Sequence, residues 1–152
     1  MFSWFVLKRV ALAALGLLLA IQLVPYGRTH ANPSVTRAAR WPSRQGEQIA
    51  RESCYDCHSN LTRWRWYSSV APFSWLVAHD VEDGRGALNF SEWNRGQPAL
   101  SEVTDQVAGG GMPPLQYRII HRSATLTASE KSQLASALAG LYAADPPPSG
   151  GG

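Results

Sequence analysis

The sequence predicts an all-α domain behind an N-terminal apolar helix. Three observations carry that expectation: a long apolar run near the start, four later segments with apolar residues at helical spacing, and no stretch that alternates as a strand would. At 152 residues there is room for one modest core once both ends are set aside.

The first element is residues 2–24, apolar except for Ser3, Lys8, Arg9 and Gln22. Two readings compete. One is an uncleaved anchor ending at Pro25 and Tyr26; the other is a signal peptide with a small-residue site at "THA", leaving a secreted protein. A spanning helix needs about 17 to 25 residues, and Lys8 and Arg9 can snorkel to extend the run backwards. The anchor is the preferred reading. It gives a signal anchor or transmembrane helix at 1–25, a Pro-rich linker at 26–42, a domain at 43–143 and a disordered tail, "ADPPPSGGG", at 144–152.

The domain's helices follow in order. Ser43 caps a helix through "RQGEQIARES". Pro72 suits the first turn of "PFSWLVAHDVEDGR", whose Trp75, Leu76 and His79 share a face with Phe73 close by. Pro98 opens "PALSEVTDQVA", with Leu100, Val103 and Val107 in register and three glycines at 109–111 to stop it. Thr127 and Glu130 make a capping box before "KSQLASALAGLY", where Leu134, Leu138 and Leu141 form one stripe. No internal repeat is present.

Charge is uneven. Up to Trp66 there are nine Lys or Arg against three acids; from Tyr67 there are five against eight. The basic residues do not cluster on a plausible folded face, so nucleic acid is excluded as a partner.

The only two cysteines lie in "ESCYDCHSN", as Cys54 and Cys57, with His58 following directly. Cys-x-x-Cys-His is the attachment pattern for c-type haem. Two thiols bond the two vinyl groups on one side of a porphyrin, and the adjacent imidazole is placed beneath the iron. A structural zinc site needs four ligands, and no second pair exists here. A thioredoxin-like dithiol needs a βαβ context that the chain lacks. A plain disulfide would close a very small loop and leave His58 unexplained. Covalent haem also implies a compartment outside the cytoplasm, which places the domain outside although Arg28, Arg37, Arg40 and Arg44 follow the apolar run.

For the sixth iron position the candidate is Met112 in "GGGMPPLQY", where glycines allow close approach to a flat ring and prolines stiffen the loop. A thioether suits an electron-transfer iron. The competing reading is a methionine that fills a core gap. His79 is the alternative distal ligand, set against a packed or propionate-bonded histidine, and His121 reads as structural. Trp64, Trp66 and Arg85 are candidates for the haem edge and its propionates, set against simple stacking and a surface ion pair.

The stretches "CYDCHSNLTRWRWYSSVAPFSWLVAHDVEDGRGALNFSEW" and "GGGMPPLQYRIIHRSATLTASE" closely resemble the haem-binding domain family of small bacterial proteins, as does the "LVPYGR…NP" exit from the apolar run. The resemblance covers residues 24–142 and implies a membrane-anchored haem-binding protein. It departs at Arg65, where proline is expected, which bears on the rigidity of that loop.

Together these features predict a monohaem c-type cytochrome, similar in plan to a small class I cytochrome c, with the helix ending at Cys54 packed against the helix over 128–142. One haem c would be held through Cys54 and Cys57, with its iron on His58 and Met112. The expected work is single-electron transfer with redox partner proteins at the outer, periplasmic face of the cytoplasmic membrane. Two alternatives differ in kind: a haem enzyme of peroxidase type using His79 and Asp80, and a haem-based redox or gas sensor.

Overall fold

A computed structural model of the chain describes residues 4–148. The first three residues of the expected anchor and residues 149–152 of the expected tail lie outside the described residues. The chain divides into two compact units, one of Met1–Ala31 with Trp64–Asp80 and the other of Asn32–Arg63 with Val81–Gly152.

The described residues form seven α-helices and two 3-10 turns, with no strand. The apolar run is helical over Trp4–Ile21 (α1), and none of its residues is buried. Helix α2, Arg44–Ser53, starts where Ser43 accepts the Gly46 N–H at 3.1 Å. Its exposed face carries the Arg51 to Glu47 ion pair one turn apart. A four-residue helix α3, Tyr55–His58, follows at once. Helix α4 is Phe73–Ala87, α5 is Leu100–Ala108, and α6 is the short Leu115–Ile120. Helix α7, Ala128–Ala144, opens on the expected capping box: Thr127 Oγ1 accepts from Glu130 N at 3.2 Å, and Glu130 Oε2 accepts from Thr127 N at 2.8 Å.

In the second unit α2 and α5 both pack on α7. Leu134, Leu138 and Leu141 are buried, so the leucine stripe is the core face of α7. Against it stands an aromatic ladder. Trp41, Tyr55 and Trp93 each lie 5.2 to 5.8 Å from the Phe90 ring, and Tyr142 meets Trp93 edge-on at 5.3 Å. The polar atoms are satisfied, with Trp41 Nε1 on Tyr55 Oη at 3.0 Å and Trp93 Nε1 on the Asp145 carbonyl at 2.7 Å. Tyr55 belongs to the Cys-Tyr-Asp-Cys-His turn, so that turn is rooted in the core.

Two features differ from what composition suggested. Residues 36–39, inside the segment read as a linker, are hydrogen-bonded along the 90–93 loop: Arg37 N to the Ser91 carbonyl at 3.2 Å, Ala39 N to Phe90 at 2.8 Å, and Trp93 N back to Arg37 at 2.8 Å. A parallel bridge pairs Arg37 with Glu92. These bonds are made by backbone, to which side-chain composition is blind.

The second difference is the phase of α4. Its apolar residues Phe73 and Leu76 are exposed, as is His79, whose face was expected to be packed. The buried stripe is Ser74, Ala78, Val81 and Gly84. Small residues win that face because backbone comes against it: a Cβ at Gly84 would lie 2.6 Å from the Cys57 carbonyl oxygen.

Candidate functional site

The Cys-x-x-Cys-His turn is α3 and its N-cap. His58 N and Cys57 N donate to the Cys54 carbonyl at 2.8 and 3.1 Å, which winds the motif into a single turn. Both cysteines are half-buried thiols. Desolvation raises Cys54 above the ordinary thiol range, partly offset by the Ser53 hydroxyl 3.3 Å from its sulfur. Among the described residues no three His, Cys, Asp or Glu side chains gather as a metal cluster would.

His58 is held from both sides by α4 and the loop after it. Its Nδ1 lies 2.9 Å from the Gly84 carbonyl and 3.1 Å from the Leu88 carbonyl. Carbonyls only accept, so Nδ1 carries the hydrogen and Nε2 keeps its lone pair. Burial holds the imidazole below its ordinary pKa against the raising effect of those two carbonyls, which keeps it neutral. The His58 carbonyl in turn accepts from Phe90 N at 2.9 Å.

The 88–97 loop that does this is braced by buried amides. Asn89 donates from Nδ2 to Asn60 Oδ1 at 2.9 Å, Asn60 N donates to Ser91 Oγ at 3.0 Å, and Asn89 N donates to Gln97 Oε1 at 3.0 Å. Fully paired networks of this kind fix one geometry. Sequence reasoning passed over them; the signal was the run of Asn, Ser and Gln in "LNFSEWNRGQ", too polar for a core yet free of strong charge clusters.

Sequence reasoning also missed a link from the turn to α6. Tyr117 donates to Asp56 Oδ2 at 2.7 Å, and Arg63 donates to Asp56 Oδ1 from Nε at 3.0 Å and from its backbone N at 3.2 Å. Burial would raise the Asp56 carboxyl, but these hydrogen bonds carry it below the usual range. Burial and that carboxylate push Tyr117 well above the usual phenol range.

The other expected residues fall as follows. Arg85 donates from Nε to the Ser59 carbonyl at 2.9 Å and from Nη2 to Thr62 Oγ1 at 2.8 Å, beside the C-terminal end of α3. Met112 is exposed in the loop before α6, its N–H on the Gln106 carbonyl at 3.1 Å. Trp64, Trp66 and His79 belong to the other unit. There Trp64 stacks on His30 at 4.8 Å, and Trp66 is 81 % exposed.

The donor set fits a haem. Two thiols and a neutral imidazole with a directed Nε2 lie on one turn. Gly84 lets the helix backbone approach Cys57 closer than any side chain would allow. Nothing in α6 is buried, and Leu115, Ile119 and Ile120 leave apolar surface exposed.

A family model described as haem-binding domain matches residues 16–139. No curated protein and no solved structure matches the chain.

Proposed function

The chain belongs to the haem-binding domain family, and on that premise we propose that it is a monohaem c-type cytochrome that passes single electrons at the outer face of the cytoplasmic membrane. The observation that carries the reading is the pair of carbonyls on His58 Nδ1, which leaves Nε2 as the only ring atom for an iron. Cys54 and Cys57 would hold the haem covalently, with His58 and Met112 as the residues for its iron. When bound, the haem supplies a one-electron couple.

The chain's own contribution is positional. The Gly84 and Leu88 carbonyls fix the rotation of the His58 ring, and burial keeps it neutral. Asp56, through Tyr117, ties α6 and the loop carrying Met112 to the turn that carries the cysteines. Arg85, held on the Ser59 carbonyl, would be the cation for a propionate. Helix α1 anchors the protein, and its partners are redox proteins of the periplasm or membrane. Support for the outer side comes from covalent haem chemistry, which is completed there.

A haem stain on a denaturing gel tests the root of this reading. Wild type expressed with a c-type maturation system retains haem, and Cys54→Ala with Cys57→Ala loses it; a wild type without covalent haem overturns the proposal. The carrier role has its own test. A far-red sulfur-to-iron band in the oxidised protein, lost in Met112→Ala, is expected, whereas a high-spin iron that reacts rapidly with peroxide would refute electron transfer as the main work.

A further inference from the structure

The loop that leaves α1 does not run free. The Gln22 side-chain amide, one residue past the end of α1, donates to the Ala71 carbonyl at 2.9 Å and accepts from Ala71 N at 3.0 Å. Arg28 Nη2 steadies that amide at 2.9 Å. Gly27, with φ of +77°, turns the chain so tightly that any Cβ there would overlap the Ser74 carbonyl. His30 stacks on Trp64 and hydrogen-bonds the Ser68 carbonyl at 2.9 Å. Residues 22–30 are therefore built into the same unit as residues 64–80, as an uncleaved segment would be.

These bonds also set a level. Helix α1 has 18 residues, about 27 Å at 1.5 Å per residue, against a hydrocarbon core of about 30 Å. Its end at Ile21 therefore stands near the boundary between acyl chains and headgroups, and Ala71, bonded to Gln22, stands there too. On either side of Ala71 the chain exposes Trp66, Val70, Phe73 and Leu76, with Trp66 81 % and Phe73 49 % accessible. Arg65 beside Trp66 is exposed as well.

We infer that Trp66, Val70, Phe73 and Leu76 form an apron lying in the lipid headgroup layer around the exit of α1, with Arg65 directed to anionic headgroups. The occupant of this surface is the bilayer that α1 itself crosses. Tryptophan and arginine are the residues that such a layer accommodates, since one offers an amphipathic ring and the other a charge for phosphate. The inference rests on the retained anchor of the preceding section.

The test uses the full holoprotein in nanodiscs of phosphatidylcholine and phosphatidylglycerol, with a lipid that carries a diazirine near the glycerol end of its acyl chain. Photolabelled peptides are mapped by mass spectrometry. Label is expected on the peptide containing residues 66–76, absent from the peptide containing the buried Trp93, and lost from position 66 in Trp66→Ser. An intact mass lacking the residues through Ala31 overturns the anchor, and the inference with it. A full-length chain labelled on α1 alone overturns the apron while leaving the anchor standing. Cross-links from residues 66–76 to a second copy of the chain, in place of lipid, also overturn it.

Discussion

Tyr117→Phe removes one hydrogen bond from the link between the Cys-Tyr-Asp-Cys-His turn and α6, and keeps the ring that packs on His121 at 4.1 Å. The bond lost is a 2.7 Å phenol donation to a buried carboxylate. Hydrogen bonds to charged groups contribute about 1.5 to 3 kcal/mol net. Asp56 keeps its donors from Arg63, so the loss falls towards the lower end, at about 2 kcal/mol. Because no residue of α6 is buried, the cost should appear as local opening. Amide hydrogen exchange reads this directly at Arg118 and His121, whose N–H groups bond the Pro114 and Tyr117 carbonyls. Exchange there should speed up about thirtyfold while the amides of α7 stay protected. Exchange within about twofold of wild type would refute the idea that this pair fastens the loop of Met112. A double-mutant cycle with Asp56→Ala then separates the pair from the ring.

Gly84→Ala places a Cβ 2.6 Å from the Cys57 carbonyl oxygen and 2.9 Å from the Cys57 Cβ. It should cost about 1 to 3 kcal/mol and lower covalent haem loading, measured by urea unfolding in detergent and by haem stain. Thr127→Ala deletes the capping box of α7 and should lower stability by about 1 kcal/mol in the same unfolding assay, with haem loading unchanged. Burial, with Glu102 adding to it, pushes Tyr142 up to about 12 from the usual 10. The folded chain thus keeps a proton that the unfolded chain has lost, so this contribution is complete below pH 10 and disappears as pH rises towards 12. Tyr142→Phe should accordingly lose less stability than wild type across that interval, as judged by unfolding midpoints at each pH.

What could be read from sequence was what local chemistry writes in adjacent letters. Ser43, Thr127 and Glu130 announced two helix starts because a cap is a contact between residues three apart. The Cys-x-x-Cys-His turn was legible because its two thiols and its imidazole are neighbours in the chain. The support for His58 was not, since it comes from the carbonyls of Gly84 and Leu88, which every residue possesses. Helix α4 shows a subtler limit. Its period was right and its buried face was wrong, because apolar size suggested Phe73 and Leu76 while the space available admitted Ser74, Ala78 and Gly84. Helix α6 escaped notice because two prolines introduce it and six residues give periodicity little to act on.

One carboxylate closes the second unit. Asp145, just past α7, receives the Arg40 N–H at 3.1 Å and pairs with the Arg37 guanidinium, while its own carbonyl takes Trp93 Nε1. The stretch before α2 and the stretch after α7 are thus one clasp, so that a change in either loosens both.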